Sequence, residues 1–274
     1  MILFNLRKHI EHSNLLQFDI LLEEKNIEHF STTRVGGVSG GTYASFNLGN
    51  FSDDSSLNIT ENRNILARMF YKDISDFIIP HQTHSSNVLN INDEFLNKNV
   101  GEKINILYNI DATLTNKIDL FLCVTTADCV PILLYDKKNK VIAAVHAGWR
   151  GVVGRILEKT IAKMKEVYNA QTEYMIACLG PSISMKNYEV GVEVVKAFLQ
   201  NDFDLSKTSY RKNPSTKLHL DLKELNRLEL IRLGIPVNQI EVSDYCTFDH
   251  EDLFFSARRQ TVHSGRMLTG IMMK

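Results

Sequence analysis

Proline, cysteine and long hydrophobic runs are all scarce in this sequence. Five prolines are scattered over 274 residues, so no proline-rich linker separates two domains. Four cysteines are too few for a disulfide scaffold, and no pair has the Cys-x-x-Cys spacing of a redox motif or a zinc knuckle. The longest apolar runs, such as Val141–Val145, have the length of a strand and not of a membrane helix. We therefore expect one domain over residues 1–274, with a hydrophobic core large enough to be stable without disulfide bonds or a structural metal.

An excess of charge of either sign is also missing. The 31 Lys and Arg residues are balanced by 32 Asp and Glu residues, which gives a formal net charge of −1. This balance argues against broad binding to nucleic acids or anionic membranes, but it permits a local basic pocket for a small anion. The first residues show neither a long apolar stretch nor a small-residue cleavage site, so we predict a mature cytoplasmic sequence.

Short apolar runs and amphipathic segments alternate only loosely along the chain. This arrangement predicts an α+β fold with mixed β-sheets and helices outside them, in preference to a doubly wound fold. Both ends of one helix can be identified in the sequence, because Asp221 can cap its N-terminus and Gly234 can end it. We predict strands at 120–124, 130–135, 141–145 and 174–179, the second and third forming a hairpin, and helices at 58–70, 151–168, 192–199 and 221–233.

Polar residues that can coordinate or titrate cluster where apolar strands end. They form three segments, at residues 81–84, 125–129 and 146–151. In the third, Gly148 allows a sharp turn between a strand and a helix. Arg150 then lies at the start of that helix, where free N–H groups favour an anion, and Trp149 offers a flat apolar face for a purine or phenol ring.

These segments contain a possible set of metal ligands. Two histidines and a cysteine are donors that suit Zn²⁺ or copper, and three protein ligands would leave one coordination position open for catalysis. An ordinary structural role for the same side chains remains an equal alternative, because strand-end His and Cys residues are common without a metal. Neither His81 nor His84 is preferred on spacing alone, and no His-Glu-x-x-His motif is present.

Other basic segments give weaker indications of an anion site. The loop at residues 32–37 can cradle an anion with Arg34 supplying charge, although it lacks the Lys-Ser/Thr of a P-loop. Arg258 and Arg259 place two guanidinium groups side by side, and a solvated or ion-paired surface pair explains them at least as well.

Taken together, an ordered set of motifs resembles the laccase-domain, or YfiH-like, family. This family was once called multicopper polyphenol oxidases and is now described as zinc-dependent purine nucleoside phosphorylases. The resemblance covers nearly the whole chain from about the thirtieth residue onward. The motifs that carry it are Thr32–Gly37, Ser45–Gly49, Gln82–His84, Asp111–Ala112, Thr126–Cys129, His146–Gly151, Gly180–Pro181, Tyr188–Gly191, Asp221–Leu222, Cys246–Thr247 and Ser256–Arg259.

The resemblance implies a fold, a cofactor and an activity. It implies a sandwich of mixed sheets with flanking helices, and it makes His84, Cys129 and His146 the ligands of Zn²⁺, with copper possible. The implied activity is phosphorolysis of adenosine, inosine, guanosine and methylthioadenosine, together with deamination of adenosine. A purine nucleoside and phosphate are therefore the expected partners, and a homodimer is possible on base rates.

The resemblance also suggests roles for individual side chains. Asp128, beside the Cys ligand, would orient water or act as a general acid or base, or would instead be a buried carboxylate that caps nearby backbone. The family's motifs and the chemistry of phosphate suggest a wider set of residues for substrate and phosphate. These candidates are Arg34, Asn47, Trp149, Arg150, Arg258 and Arg259.

Three other functions remain open. A copper oxidase of phenols would use the same donors, but one site with a single ion lacks a multicopper cluster. A cysteine hydrolase would use Cys129 as nucleophile and His146 as base, which leaves His84 unexplained. A zinc-stabilised binding module would need a fourth ligand, for which His81 is the nearest candidate.

The sequence also departs from the family pattern. Asn187 stands where relatives often have cysteine, Ala257 replaces a common aromatic residue, and Ser264 replaces threonine in a Thr-Gly-Arg motif. An insertion is expected around residues 92–104. These differences affect the expected shape of the pocket and not the three ligands.

Overall fold

The fold consists of two six-stranded mixed β-sheets, a small third sheet and helices that cover the outer faces. This computed structural model describes residues 6–9, 12–50 and 52–274. The described residues form the strands β1 (Arg7–Lys8), β2 (Leu15–Gln17), β3 (Ile27–Thr32), β4 (Phe77–Ile78), β5 (Val88–Asn90), β6 (Ala112–Thr115), β7 (Phe121–Thr126), β8 (Val130–Asp136), β9 (Val141–Ala147), β10 (Met175–Leu179), β11 (Glu189–Val190), β12 (Ser209–Tyr210), β13 (Leu218–Leu220), β14 (Ile240–Val242) and β15 (Met267–Met273).

The helices are short apart from those that pack on the sheets. The described residues form α1 (Asp19–Leu22), α2 (Ser56–Met69), α3 (Asp93–Leu96), α4 (Val100–Ile106), α5 (Trp149–Val153), α6 (Ile156–Tyr168), α7 (Val192–Leu199), α8 (Leu222–Arg232) and α9 (Ala257–Gln260). The segment at residues 92–104, where an insertion is predicted, includes α3 and most of α4.

Each large sheet combines antiparallel and parallel neighbours. The first has the order β1-β2-β3-β15-β7-β4, and the second has the order β14-β10-β8-β9-β6-β5. The predicted hairpin is β8 and β9, which pair antiparallel. Parallel pairing joins β4 to β7, β5 to β6 and β10 to β14. The small sheet has the order β11-β13-β12.

Alternating side chains of the central strands fill three layers of core. In β7, Leu122 and Val124 face the second sheet, whereas Phe121 and Cys123 face the layer that contains α2. In β8, Leu133 and Tyr135 point into the space between the sheets, and the intervening residues pack with α6 and α8. Because successive side chains of a strand point to opposite faces, these apolar runs are buried on both sides. The predicted α+β sandwich with flanking helices is confirmed.

One predicted helix is interrupted. We expected a single helix over residues 151–168, but α5 ends at Val153 and α6 begins at Ile156. Arg155 lies between them with a left-handed φ of 60°. Its guanidinium donates to the carboxylate of Glu229 and stacks over the ring of Phe203. A local pattern of apolar residues does not show such contacts with distant residues. The pattern therefore predicted one continuous helix where the structure has two.

The remaining sequence predictions for the elements hold to within a few residues. Strands β7 to β10 lie where apolar runs predicted them, and α7 has the predicted bounds. The carboxylate of Asp221 accepts a hydrogen bond from the N–H of Glu224, as expected of an N-cap. No helix of the described residues is long and apolar enough to cross a membrane.

Candidate metal centre

The three predicted ligands come from different elements that meet at one edge of the two sheets. Cys129 lies in the turn where the chain leaves β7 in the first sheet and enters β8 in the second. His146 is the second-to-last residue of β9 and lies opposite Pro131 of β8. His84 belongs to the loop between β4 and β5. The crossover between the sheets therefore brings three distant sequence segments together.

The geometry of the three side chains suits one metal ion. The ligand atoms of His84, Cys129 and His146 all lie within 4.8 Å of one another. The rings of the two histidines are 4.9 Å apart between centroids and inclined by 70°. His84 is exposed, Cys129 is half-buried and His146 is buried, so the centre opens toward solvent on the side of His84. His81 does not belong to this group of ligand atoms, and its ring packs on the edge of Tyr108.

Asp111 fixes the orientation of His146 and shapes the loop of His84. Asp111 precedes β6, and its Oδ1 accepts a hydrogen bond of 2.7 Å from Nδ1 of His146. Its carboxylate also accepts hydrogen bonds from the backbone N–H groups of Thr83, His84 and Ser85. Because a carboxylate only accepts, Nδ1 of His146 carries a proton, and Nε2 is the nitrogen that could bind a metal once it has lost its own proton.

The surroundings of Cys129 favour its deprotonated form, the thiolate. Burial alone would raise its pKa, but the charge of His146 and hydrogen bonds from His146 and His84 outweigh burial and lower the pKa to about 6. Burial likewise opposes protonation of His146, and interactions with Cys129 and Asp111 raise its pKa to about 9. His146 and His84 thus stabilise negative charge on the sulfur of Cys129, and the thiolate is the form in which cysteine binds a metal.

The backbone around the centre is sterically demanding. His84 and Asp128 both have a positive φ, of 61° and 87°, a region that side chains other than glycine seldom occupy. Gly148 lies directly against the ligands, because a Cβ at that position would be 2.8 Å from Cδ2 of His84 and 3.1 Å from Sγ of Cys129. The local conformation is therefore determined by the close approach of the chain to the three ligands.

A cavity of about 210 Å³ borders the centre. Besides the three candidate ligands, the polar residues that line it are Gln82, Thr125, Thr126 and Arg266. Gln82 joins the loop of His84 to the end of β7, since its amide donates to the carbonyl of Thr125 and accepts from its N–H. Arg266 is the cationic side chain among the described residues that line this cavity.

Arg266 is held in place from behind by Asn47. Oδ1 of Asn47 accepts hydrogen bonds from the backbone N–H groups of Gly49 and Arg266. The guanidinium Nη1 of Arg266 donates to the carbonyls of Ser264 and Gly265. Burial lowers the pKa of Arg266, and the negative charges of Cys129 and Asp128 counteract this. Asn47 therefore holds the backbone of Arg266 without itself lining the cavity, and the carbonyls of Ser264 and Gly265 hold the guanidinium.

The hydrogen bonds of the Asp128 carboxylate are made with residues other than the three candidate ligands. Its buried carboxylate accepts from the hydroxyls of Thr247 and Ser256 and from the backbone N–H of Arg258. These three donors come from the segments before and at the start of α9. The arrangement is the one expected of a carboxylate that ties neighbouring backbone segments together.

The other predicted binding residues do not line the cavity of the centre. Arg34 donates to the carbonyls of Ala44 and Glu251, and Arg259 donates to carbonyls of the segment 247–254. The guanidinium of Arg150 stacks over the ring of Trp149, which packs on the core beside α5. Arg258 is exposed and donates to the carbonyls of Asn187 and Glu189.

Three residues of the site received no role from sequence reasoning, namely Gln82, Asp111 and Arg266. All three were visible in motifs. Asp111 and Arg266 immediately precede the apolar strands β6 and β15, so a search at the starts of strands, as well as at their ends, could have found them. Their roles depend on pairings between distant strands, which spacing along the chain does not reveal.

The fold and the site together define an α+β sandwich with a candidate His₂Cys centre for one metal ion. Comparison with known proteins identifies the family, because residues 28–274 match the one described as multi-copper polyphenol oxidoreductase laccase. The chain belongs to this family.

Its relatives are similar over nearly their full length. It is 43% identical to a purine nucleoside phosphorylase of Bacteroides thetaiotaomicron, over 94% of this chain and 96% of the relative. It is 38% identical to adenosine deaminase RL5 from an unknown prokaryotic organism, over 95% of this chain and 99% of the relative. The crystal structure of YlmD from Geobacillus stearothermophilus superimposes with a TM-score of 0.88 at 27% identity and covers 98% of both chains.

Proposed function

We propose that this protein is a purine nucleoside phosphorylase that also deaminates adenosine, acting at a zinc centre formed by His84, Cys129 and His146. The convergence of these three side chains and Arg266 on one cavity is the observation that carries the proposal. Relatives that share 43% and 38% of its residues over almost the whole chain are named for these two activities.

The donor set supports zinc. One thiolate and two imidazoles are ligands that zinc accepts readily, and three protein ligands are typical of a catalytic zinc site. Copper binds the same donors, yet the described residues offer one such group, whereas reduction of oxygen to water needs several coppers. When bound, the cation supplies Lewis-acid polarisation to the reaction.

Phosphorolysis makes specific demands on the cavity. An oxygen of phosphate forms a bond to the anomeric carbon while the glycosidic bond breaks, and the purine leaves with the bonding electrons. Negative charge therefore enters with phosphate and develops on the departing base, whereas positive charge develops on the sugar. Arg266 is suited to stabilise negative charge here, because its guanidinium lines the cavity and keeps donors beyond the two carbonyls it already contacts.

Deamination uses water in place of phosphate and a different atom of the substrate. Water adds to the ring carbon that carries the amino group, and ammonia leaves. Both reactions thus require a purine beside the same polar cavity, and they explain how one family contains relatives with both names. We propose that Asp128 acts as a positioning residue, since its carboxylate already accepts three hydrogen bonds.

The deciding assay measures release of ribose 1-phosphate from inosine or adenosine by zinc-loaded protein, with and without phosphate. We expect phosphate-dependent release of the base, and ammonia from adenosine with or without phosphate. His84→Ala, Cys129→Ser and His146→Ala variants should lose both activities together. Metal-replete protein that turns over no purine nucleoside would refute the proposal.

A cysteine hydrolase is the second candidate, and the lowered pKa of Cys129 beside His146 is the observation that favours it. The two functions differ in their dependence on metal. A chelator abolishes the activity of a zinc enzyme and leaves a thiol hydrolase active. His84→Ala abolishes the zinc enzyme but only weakens the hydrolase, because His146 contributes more than His84 to the lowered pKa of Cys129.

A further inference from the structure

A second cavity adjoins the cavity of the metal centre. It has a volume of about 310 Å³, and Thr125 lines both cavities. Two further chain segments contribute to both cavities. Asn50 and His81 line the second cavity, and their sequence neighbours Gly49 and Gln82 line the first. The two spaces are therefore close enough to hold two reactants or two parts of one ligand.

The second cavity has apolar walls and a small number of polar groups. Ile104 of α4 and Leu107, which follows α4, form part of the apolar wall, and Asn50 and Asn105 contribute amides. Arg63 supplies a guanidinium, and the described lining includes no aspartate or glutamate. A mostly apolar cavity with a few convergent polar groups is typical of small-molecule sites.

The charge of Arg63 is not neutralised by the described part of the protein. Arg63 projects from α2, and its Nε and Nη2 both donate to the carbonyl of Leu48, at 3.1 and 2.9 Å. In residues 6–9, 12–50 and 52–274, Nη1 has no hydrogen-bond partner and no carboxylate pairs with Arg63. The titratable neighbour is Cys123, whose pKa is raised by complete burial, so its thiol is neutral.

An unneutralised cation in a cavity favours an anionic ligand. Burial lowers the pKa of Arg63 to about 10, which still leaves the guanidinium protonated at neutral pH. Arg63 is half-buried, so its guanidinium loses part of its hydration, and a bound anion offsets that loss. Guanidinium groups match phosphate better than ammonium groups do, because their planar donors are arranged to contact two oxygens.

We propose that the second cavity is an anion subsite in which Arg63 binds a phosphoryl group. Two sources share this chemistry: inorganic phosphate used in phosphorolysis, and the 5′-phosphate of a nucleotide whose base lies beside the metal centre. Its catalytic role rests on the proposed function, whereas anion binding by Arg63 does not. With phosphate at Arg63, Arg266 is left to stabilise the departing purine.

Titration calorimetry with inorganic phosphate tests binding without turnover. The samples are the zinc-loaded protein and its Arg63→Gln, Arg63→Lys, Arg266→Gln and Arg68→Gln variants. Arg68 is the matched control, because it lies on the same helix but is exposed and paired with Glu61. We expect Arg63→Gln to weaken phosphate binding at least about tenfold, Arg63→Lys to retain part of it, and Arg68→Gln to bind as the wild type does.

Thermal unfolding without phosphate verifies that each variant is folded, and the Lys variant keeps the charge if the Gln variant is unstable. A second titration with a nucleoside 5′-monophosphate distinguishes the two sources. If the affinity for free phosphate depends on Arg63, the source is the co-substrate. If the affinity for the nucleotide alone depends on it, the source is the 5′-phosphate.

The proposal is overturned if neither anion binds the wild type, or if phosphate binding is lost in Arg266→Gln and unchanged in Arg63→Gln. Steady-state kinetics adds a separate criterion. For a phosphate subsite, Arg63→Gln raises the KM for phosphate about tenfold or more and leaves the KM for the nucleoside unchanged. Protein that binds phosphate through Arg63 but lacks turnover would refute the proposed function and leave the anion subsite intact.

Discussion

Nδ1 of His146 donates a 2.7 Å hydrogen bond to Oδ1 of Asp111, and the same carboxylate accepts from the backbone N–H of His84. One buried side chain therefore orients one imidazole ligand and shapes the loop that carries the other. Strand pairing makes this possible, because β6 lies beside β9 and Asp111 immediately precedes β6. The centre is thus organised by the protein before any cation enters it.

We expect Asp111→Asn to weaken zinc binding about tenfold to a hundredfold, as is usual for a partner behind a metal-binding histidine. The amide can no longer accept all of the hydrogen bonds that the carboxylate accepts, and His146 loses its charged partner. Competition with a chromogenic chelator measures the affinity. Asp119→Asn is the matched control, since Asp119 is an exposed carboxylate paired with Lys72. Equal zinc affinity in both variants would show that Asp111 does not organise the centre.

Gly148→Ala is expected to damage the centre more than the fold. Gly148 has a φ of −76°, which alanine adopts freely, so the effect comes only from contact of the new Cβ with His84 and Cys129. We expect zinc affinity and kcat to fall about tenfold or more, with a loss of unfolding free energy of about 1–3 kcal/mol.

Gly40→Ala is the control for this change, because a Cβ at Gly40 meets no atom within 4 Å. Zinc titration, steady-state kinetics and urea unfolding are compared for the two variants. Loss of folding stability in Gly148→Ala without any change in zinc affinity would contradict the packing argument.

Chelation should abolish activity and leave the protein folded. The described residues form three buried core layers that do not depend on the centre, and Asp111 holds its loops by hydrogen bonds alone. We expect loss of turnover on dialysis against a chelator, a far-ultraviolet circular dichroism spectrum that does not change, and recovery of activity with added zinc. Cooperative unfolding on chelation would instead support a zinc-stabilised binding module.

The central strands β7 to β10 and the helices α2, α7 and α8 could be predicted from the sequence, because burial on both faces and end-capping leave local patterns. The hydrogen bond of Asp221 with Glu224 is such a local feature. The break at Arg155 could not, since its cause is contact with Glu229 and Phe203, which lie far along the chain. Local patterns therefore predict elements better than they predict their interruptions.

The same distinction applies to the site. The convergence of His84, Cys129 and His146 could be predicted, because their residue types are chemically distinctive and match a family motif. The placement of the arginines could not, since Arg34, Arg258 and Arg259 donate to backbone carbonyls away from the cavity, whereas Arg266 lines it. A guanidinium that holds backbone and one that faces a ligand look alike in a sequence, and only the folded chain separates them.

Acid stability offers a test of the core that is independent of the metal centre. His29 is buried in β3, and its Nε2 accepts a 2.8 Å hydrogen bond from the N–H of Phe18, so this nitrogen carries no proton in the folded state. Burial lowers the pKa of His29 from the ordinary value of 6.5 to about 3. Between these two values the unfolded chain binds a proton that the folded chain does not.

Stability should therefore be complete above the ordinary pKa of histidine and decrease as the pH falls from about 6.5 toward about 3. The loss attributable to this residue at about pH 4.5 is about 2.5 kcal/mol. Urea unfolding of chelator-treated protein at about pH 7 and about pH 4.5 measures it without interference from metal release. His29→Gln places an amide oxygen near the position of Nε2, where it can accept from Phe18, and does not titrate, so the stability of this variant should depend less on pH than that of the wild type. His263→Gln, which replaces an exposed histidine, should retain the wild-type dependence, and a similar slope for His29→Gln would show that His29 is protonated in the folded protein.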